Sequence, residues 1–317
     1  MLRPLITIRH IPNIDFMRLH KLGFVLSLVL TLGSIVLFGV RGLNYGIDFS
    51  GGTVIEARTL NGPADLAKMR ATLDGLGIGE VALQNFGNPD DVLIRLQRQP
   101  GSDKAQEQAV AKVKAALGRD VDYRRTEVVG PKVGGELVQA GVLATVLALV
   151  AIAVYVWFRF EWQFGVGAML STLHDTVTTV GLFALLQIEF NLTTLAAILT
   201  IAGYSVNDTV VIYDRVREAM RKYKTMDLRT LINKSLNETL SRTILTVTTV
   251  ALAVLSLLIF GGEVLRGFSI AMLWGIVIGT YSSLFIAAPL LYYIRPKRSE
   301  SRDKEAEASP TEIQRVR

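Results

Sequence analysis

Six long apolar runs decide the fold class of this 317-residue chain before any other feature does. They fall at 22–40, 137–158, 163–187, 191–213, 240–260 and 268–293, each 19 to 26 residues long and nearly free of charge. At about 1.5 Å of rise per residue, runs of this length match the ~30 Å hydrocarbon core of a bilayer. The expected fold class is therefore an α-helical polytopic membrane protein with six transmembrane helices. Composition agrees: the chain is 50% hydrophobic and 20% charged, which excludes a disordered or collagen-like polymer. With no cysteine, disulfides, thiolate metal sites and cysteine nucleophiles are excluded as well.

The first run follows Arg3, Arg9, Arg18 and Lys21, as a secretory signal core would. Its length and its end at Phe38-Gly39-Val40-Arg41, which lacks a small-x-small cleavage pattern, argue for a retained span. Six spans put both termini on one side. The N-terminal 21 residues hold four basic residues, 214–242 holds eight and the tail from Ile294 holds seven, whereas 188–190 has none and 261–267 has only Arg266. The positive-inside rule then places the termini and the 214–242 connection in the cytoplasm. The net charge of +6 is read as this topological signal and not as a nucleic-acid patch. Residues 1–21 are expected to be an interfacial cytoplasmic N-terminus, and 294–317 a disordered cytoplasmic tail. Met226, Leu228, Leu231, Ile232 and Leu236 lie on one side of the basic 214–239 loop and suggest an interfacial helix on the cytoplasmic surface.

The segment 41–136 must then lie outside, and its thirteen basic and thirteen acidic residues oppose no topology. Its pattern reads as strand Thr53–Leu60, helix Ala64–Leu76, strand Glu80–Phe86, a turn at Gly87-Asn88-Pro89-Asp90, strand Val92–Gln97, helix Ser102–Leu117 and strand Asp122–Val129. Ser102 and Asp103 offer an N-cap for the second helix. This βαββαβ order predicts an α+β ferredoxin-like domain, a fold that by itself decides no function. The domain has no histidine and no catalytic pairing of acids, so no enzyme is expected. Its entry, Gly46-Ile47-Asp48-Phe49-Ser50-Gly51-Gly52-Thr53, lacks the lysine and following helix of a phosphate-binding loop and reads as a tight turn.

The informative residues are charges inside the apolar runs. Asp175 lies in the third run beside His174, and Asp208 lies near the cytoplasmic end of the fourth beside Asn207. An acid at a span centre costs about 2.5–3.5 kcal/mol on insertion scales, so each needs a compensating role. That role is either a neutral hydrogen-bonded link between helices or a proton-carrying carboxylate. Arg242 opens the fifth run at similar depth to Asp208, which allows a pairing. Burial favours a neutral acid and a nearby arginine a charged one, so a site balanced between them can load and release a proton. Arg242 can equally be read as a snorkelling residue. Gly167, Ser171, Asp175 and Thr179 form a small-residue stripe, as do Ala271, Gly275, Gly279, Ser283 and Ala287, and such stripes let helices approach closely.

Taken together, the chain resembles the SecD/SecF family of protein-export membrane proteins within the resistance-nodulation-division superfamily. The resemblance rests on Gly46-Ile47-Asp48-Phe49-Ser50-Gly51-Gly52 after the first span, His174-Asp175, Val206-Asn207-Asp208-Thr209-Val210-Val211-Ile212-Tyr213-Asp214-Arg215, and Leu236-Asn237-Glu238-Thr239-Leu240-Ser241-Arg242-Thr243. It also rests on the order of one helix, an external domain and five helices. It implies an inner-membrane subunit paired with SecD that assists the SecYEG channel, with YajC and YidC as further associates, and that uses the proton motive force in late, SecA-independent export. It further implies a proton relay at Asp208 with Arg242 as partner, His174, Asp175 and Asn207 in support, and an entry motif at Gly46, Asp48, Phe49, Gly51 and Gly52. No metal or cofactor is implied. The alternatives are a non-conducting structural partner and half of a small-molecule exporter, the latter opposed by the small external domain.

Overall fold

The structure, a computed structural model, describes residues 13–79, 81–99 and 103–296. Arg3, Arg9, most of the expected interfacial N-terminus, Ser102 and the expected disordered tail from 297 lie outside these residues. The first helix, α1 (Phe16–Arg41), begins ahead of the apolar run, N-capped by Asp15, whose carboxylate accepts the Arg18 N–H at 2.9 Å. Residues Phe16–Lys21 are therefore the opening turns of the span. They are held there by Met17, which is fully buried, and by Asn233 and Asn237, whose side chains bond the backbone of Ile14 and Met17.

After α1 come a two-residue strand β1 (Asn44–Tyr45) and a single helical turn α2 (Ile47–Ser50). The unit between the first two long helices is β2 (Gly52–Thr59), α3 (Leu66–Asp74), β3 (Val81–Phe86), β4 (Asn88–Leu96), α4 (Asp103–Leu117) and β5 (Val121–Val129). Its sheet runs β3-β4-β2-β5 with all neighbours antiparallel. Alternation along the strands puts Ile55, Ala57, Leu83, Val92 and Ile94 on one face, where Met69 and Leu73 of α3 and Val113 of α4 close a small core. The four-residue turn expected at Gly87–Asp90 is corrected: only Gly87 (φ +81°) lies between the strands, because β4 begins at Asn88. Pro89 falls in the irregular stretch between paired Asn88 and paired Asp91, where its missing N–H interrupts no ladder pair, and its carbonyl accepts from Ala64 N–H at 3.0 Å. Asp91 anchors this corner: it receives the fork of Arg58 at 2.6 and 2.7 Å and the amide of Asn88 at 2.9 Å. The Arg58 guanidinium and the Asn88 amide hold the Asp91 carboxyl at about 2, below its usual 3.8.

The remaining elements are α5 (Pro131–Arg159), α6 (Trp162–Leu186), β6 (Glu189–Phe190), α7 (Leu192–Lys222), α8 (Leu228–Phe260), α9 (Gly262–Ser282), a π-helical turn Ser283–Ala287 and α10 (Ala288–Ile294). Among the described residues six helical stretches are long and apolar enough to cross a membrane: Phe16–Arg41, Val133–Arg159, Trp162–Leu186, Leu192–Lys222, Leu228–Phe260 and Val264–Ile294. They form two layers. The third, fourth and sixth are half buried or more, whereas the first, second and fifth are largely exposed along their apolar windows. The inner helices carry the serines, threonines and acids that lipid would penalise.

The connection 214–239 differs from expectation. Helix α7 continues to Lys222 and α8 starts at Leu228, N-capped by Asp227, so the loop is short and there is no separate surface helix. Leu231, Ile232 and Leu236 are fully buried against Met17, Tyr213 and Leu291. An amphipathic stripe states that something covers it, and here the cover is the bundle itself.

Candidate functional site

Two glycines of the sixth span set the approach of the inner helices. A Cβ on Gly275 would overlap Ile201, and one on Gly279 would sit 3.1 Å from the Ser205 Cβ, so α9 can lie this close to α7 only because both positions lack side chains. The expected small-residue stripe thus brings hydroxyls from three helices to one depth. The π-helical turn after Ser282 widens the helix there. Ser282 and Ser283 flank its start and point inward.

Asp175 lies at the centre of this cluster, with no exposed surface. Its Oδ2 accepts from Ser205 Oγ of α7 at 2.5 Å and from Ser282 Oγ of α9 at 2.8 Å, and its Oδ1 lies 3.0 Å from His174 Nδ1. Ser171 Oγ donates on to Ser282 at 2.8 Å, and the Ser283 and Thr209 hydroxyls meet at 2.7 Å. The Asp175 carboxylate is thus fully committed to joining α6, α7 and α9.

Asp208 differs in every respect but burial. It is 5% exposed, one turn below Ser205 on α7, yet its buried Oδ2 has no hydrogen-bond partner. The hydroxyls of Tyr204, on the same helix, and Thr243, beside Arg242 on α8, are also buried without partners. Arg242, exposed on α8, makes no ion pair within 4.0 Å with Asp208, and among the described residues the two charges act on each other only through space. Asn207 likewise faces outward from α7, next to exposed Gly203. His174 is buried with its Nε2 unpartnered. Chemically, a buried carboxylate without hydrogen bonds can exchange a proton without dismantling a network, and Asp208 has that property where Asp175 lacks it.

The entry motif is more than the tight turn expected of it. Gly46 and Gly51 bracket the helical turn α2, and the strand before it pairs in parallel with β6 in the turn between α6 and α7, with Gly46 N–H donating to Phe190 O at 2.8 Å. Asp48 Oδ2 accepts the Leu192 N–H, at the first residue of α7, at 2.8 Å. Phe49 stacks on Phe190 at 5.7 Å, and Arg95 of β4 forms an ion pair with Glu189. Gly52, at φ +130°, opens β2 with no room for a side chain: a Cβ would lie 2.6 Å from the Leu96 carbonyl.

Sequence reasoning missed Ser205, Ser282, Tyr204, Arg95 and Glu189. Serines and threonines are ordinary in membrane helices, so only their shared depth with the acids could have singled them out. Among the described residues no cluster of three or more metal-ligating side chains forms.

Comparison with known proteins gives consistent matches. The family model "Protein export membrane protein SecD/SecF, C-terminal" matches residues 109–297, and "SecD/SecF GG Motif" matches 36–59. The chain is 47% identical over 291 residues to protein translocase subunit SecF of Rickettsia rickettsii, covering 90% of this chain and 94% of that one. It is 46% identical over 300 residues to the subunit of the same name from Rickettsia bellii, covering 92% and 98%. The crystal structure of SecDF, a translocon-associated membrane protein from Thermus thermophilus, superposes with a TM-score of 0.80 at 34% identity over 93% of this chain. SecDF in its super-membrane-facing form gives a TM-score of 0.69, also at 34% identity, over 97%. The chain spans about two fifths of the length of these solved chains, 40% and 41%.

Proposed function

The chain belongs to the SecD/SecF family of protein-export membrane proteins, and from that premise we propose that it is the SecF-type half of a proton-driven export motor in the bacterial inner membrane. In this reading the termini are cytoplasmic, and the βαββαβ unit is a ferredoxin-like periplasmic domain. SecD completes the complex; SecYEG is the channel served, and YajC and YidC are further associates. Its work is the late, SecA-independent stage of export, with no covalent chemistry on the substrate.

The observation that carries this reading is Asp208: a carboxylate buried in a membrane span whose Oδ2 has no hydrogen-bond partner. Protonation changes its attraction to Arg242 and shifts the α7–α8 packing between two states. One charge crossing 100 mV is worth about 2.3 kcal/mol, enough to bias a two-state element whose states differ by a few kcal/mol. The outward-facing Asn207 and Gly203 on α7 support a helical partner, because an asparagine facing lipid is costly and a glycine beside it admits a close neighbour.

The test is gradient-dependent export in vesicles containing the whole complex. Asp208→Asn abolishes the stimulation by an imposed proton gradient and leaves SecD association intact. If stimulation persists, Asp208 is not the relay. The rival structural role has its own support in the saturated network around Asp175; under it, Asp208→Asn acts only by lowering the SecD recovered in a pull-down.

A further inference from the structure

We infer that Asp48, Arg95 and Glu189 are positioning residues of a stiff joint that couples the external sheet domain to α7, so that displacement of the helix carrying Asp208 moves the domain as one body. This rests on the export reading above.

Different kinds of bond cross the same seam. The β1–β6 pairing is backbone to backbone, the Asp48 cap joins a side chain to the first N–H of α7, the Arg95–Glu189 pair joins the sheet to the α6–α7 turn, and Phe49 stacks on Phe190. The seam is also close-packed. A Cβ on Gly46 would lie 2.5 Å from Glu189 Oε1, and one on Gly134 of α5 3.0 Å from the Phe49 carbonyl. Both partners of the ion pair are less than a quarter exposed, so their attraction is screened less than that of a surface pair. Hinges belong where few contacts cross; this seam has many.

Helix α7 makes the connection mechanical. It is continuous from Leu192, capped from outside by Asp48 and from within by the Asn191–Thr194 capping box, to Lys222. Asp208 lies sixteen residues along it, roughly 24 Å from the joint at the rise of a helix. A repacking of α7 at Asp208 therefore reaches the joint through one unbroken rod and continues into β4 through Arg95. Asp48 and Arg95 differ from the intramembrane acids in role: they touch no proton path, and they set what the proton step moves.

This chain has no cysteine, so thiols introduced into it are its only ones. The whole complex is reconstituted in vesicles, and gradient-dependent export of a secretory precursor is measured beside proton uptake. Asp48→Ala and Glu189→Ala lower gradient-dependent export by roughly fivefold or more, the usual scale of a lost coupling, with proton uptake retained. Asp48→Asn, whose amide oxygen still accepts the Leu192 N–H, restores most of the loss. In the double variant Arg95→Cys/Glu189→Cys, export is low until a short bis-maleimide bridges the two thiols and then recovers. The inference is overturned if bridging leaves export low, which would mean that the joint has to open, or if the alanine variants export normally or lose proton uptake in step with export. If the alanine variants fail to assemble, the same cysteine sample before and after bridging decides. Absence of gradient-dependent export or proton uptake in the unmodified complex would instead refute the export reading itself.

Discussion

Replacing Asp175 separates a structural acid from a proton carrier, and its effect can be worked from the hydrogen bonds. Three groups converge on the carboxylate: Ser205 at 2.5 Å, Ser282 at 2.8 Å and His174 at 3.0 Å. In Asp175→Ala, Ser282 keeps its bond to the Gly279 carbonyl at 3.0 Å, but the Ser205 hydroxyl and His174 Nδ1 lose their partner. Leaving two buried polar groups unsatisfied costs about 1–3 kcal/mol each, and three membrane hydrogen bonds at ~0.6 kcal/mol set a lower bound, so the expected loss is about 2–6 kcal/mol. Asp175→Asn behaves differently. Its amide oxygen still accepts both serines, and its NH2 meets His174 in the other tautomer, so the cost is about 1 kcal/mol or less. Thermal unfolding of the purified complex in detergent, paired with gradient-dependent export, reads both effects. The reasoning fails if Asn destabilises as much as Ala. It fails equally if Asn abolishes gradient-dependent export at unchanged stability, since Asp175 would then carry the proton.

Gly275→Val places methyl groups where Ile201 already sits, so α7 and α9 separate or the side chains leave their rotamers; a loss of about 1–3 kcal/mol is expected, read as a lower unfolding midpoint. In the sheet domain the low value of Asp91, about 2 against 3.8, sets the sign of a pH effect: its contribution to stability is fully present above pH 3.8 and is lost as pH falls through about 2. Protection of the β2–β4 amides against hydrogen exchange should therefore weaken below pH 4 in the unmodified chain, and Asp91→Ala should remove that dependence; an unchanged dependence would contradict it. Replacing Asn233 and Asn237 together by Leu frees the backbone of Ile14 and Met17, so exchange at the start of α1 rises while the external sheet is unaffected.

The spans were readable because hydropathy alone obliges an apolar run of that length to enter lipid. Their ends were not. Phe16–Lys21, Pro131–Glu136 and Asp214–Lys222 remain helical beyond the apolar runs, where apolarity no longer marks the helix. The Met226–Leu236 stripe has one pattern whether a membrane surface or a bundle covers it, and only packing against Met17, Tyr213 and Leu291 distinguishes the two. Asp175 and Asp208 were conspicuous as charges in apolar surroundings, but the sequence could not say that one is saturated with donors and the other bare. That difference comes from Ser205 and Ser282, which reach Asp175 only because Gly279 lets α9 approach α7. Arg242 shows the same limit: position along a helix gives depth, and the facing of the side chain depends on how α8 is rotated in the bundle.

The most direct measurement is proton uptake itself. Vesicles holding the complex, with a pH-sensitive dye trapped inside and a membrane potential imposed, should acidify with the unmodified chain and fail to do so with Asp208→Asn, while Asp175→Asn still acidifies. Equal acidification by the unmodified chain and Asp208→Asn, with the complex intact in both, would contradict the account.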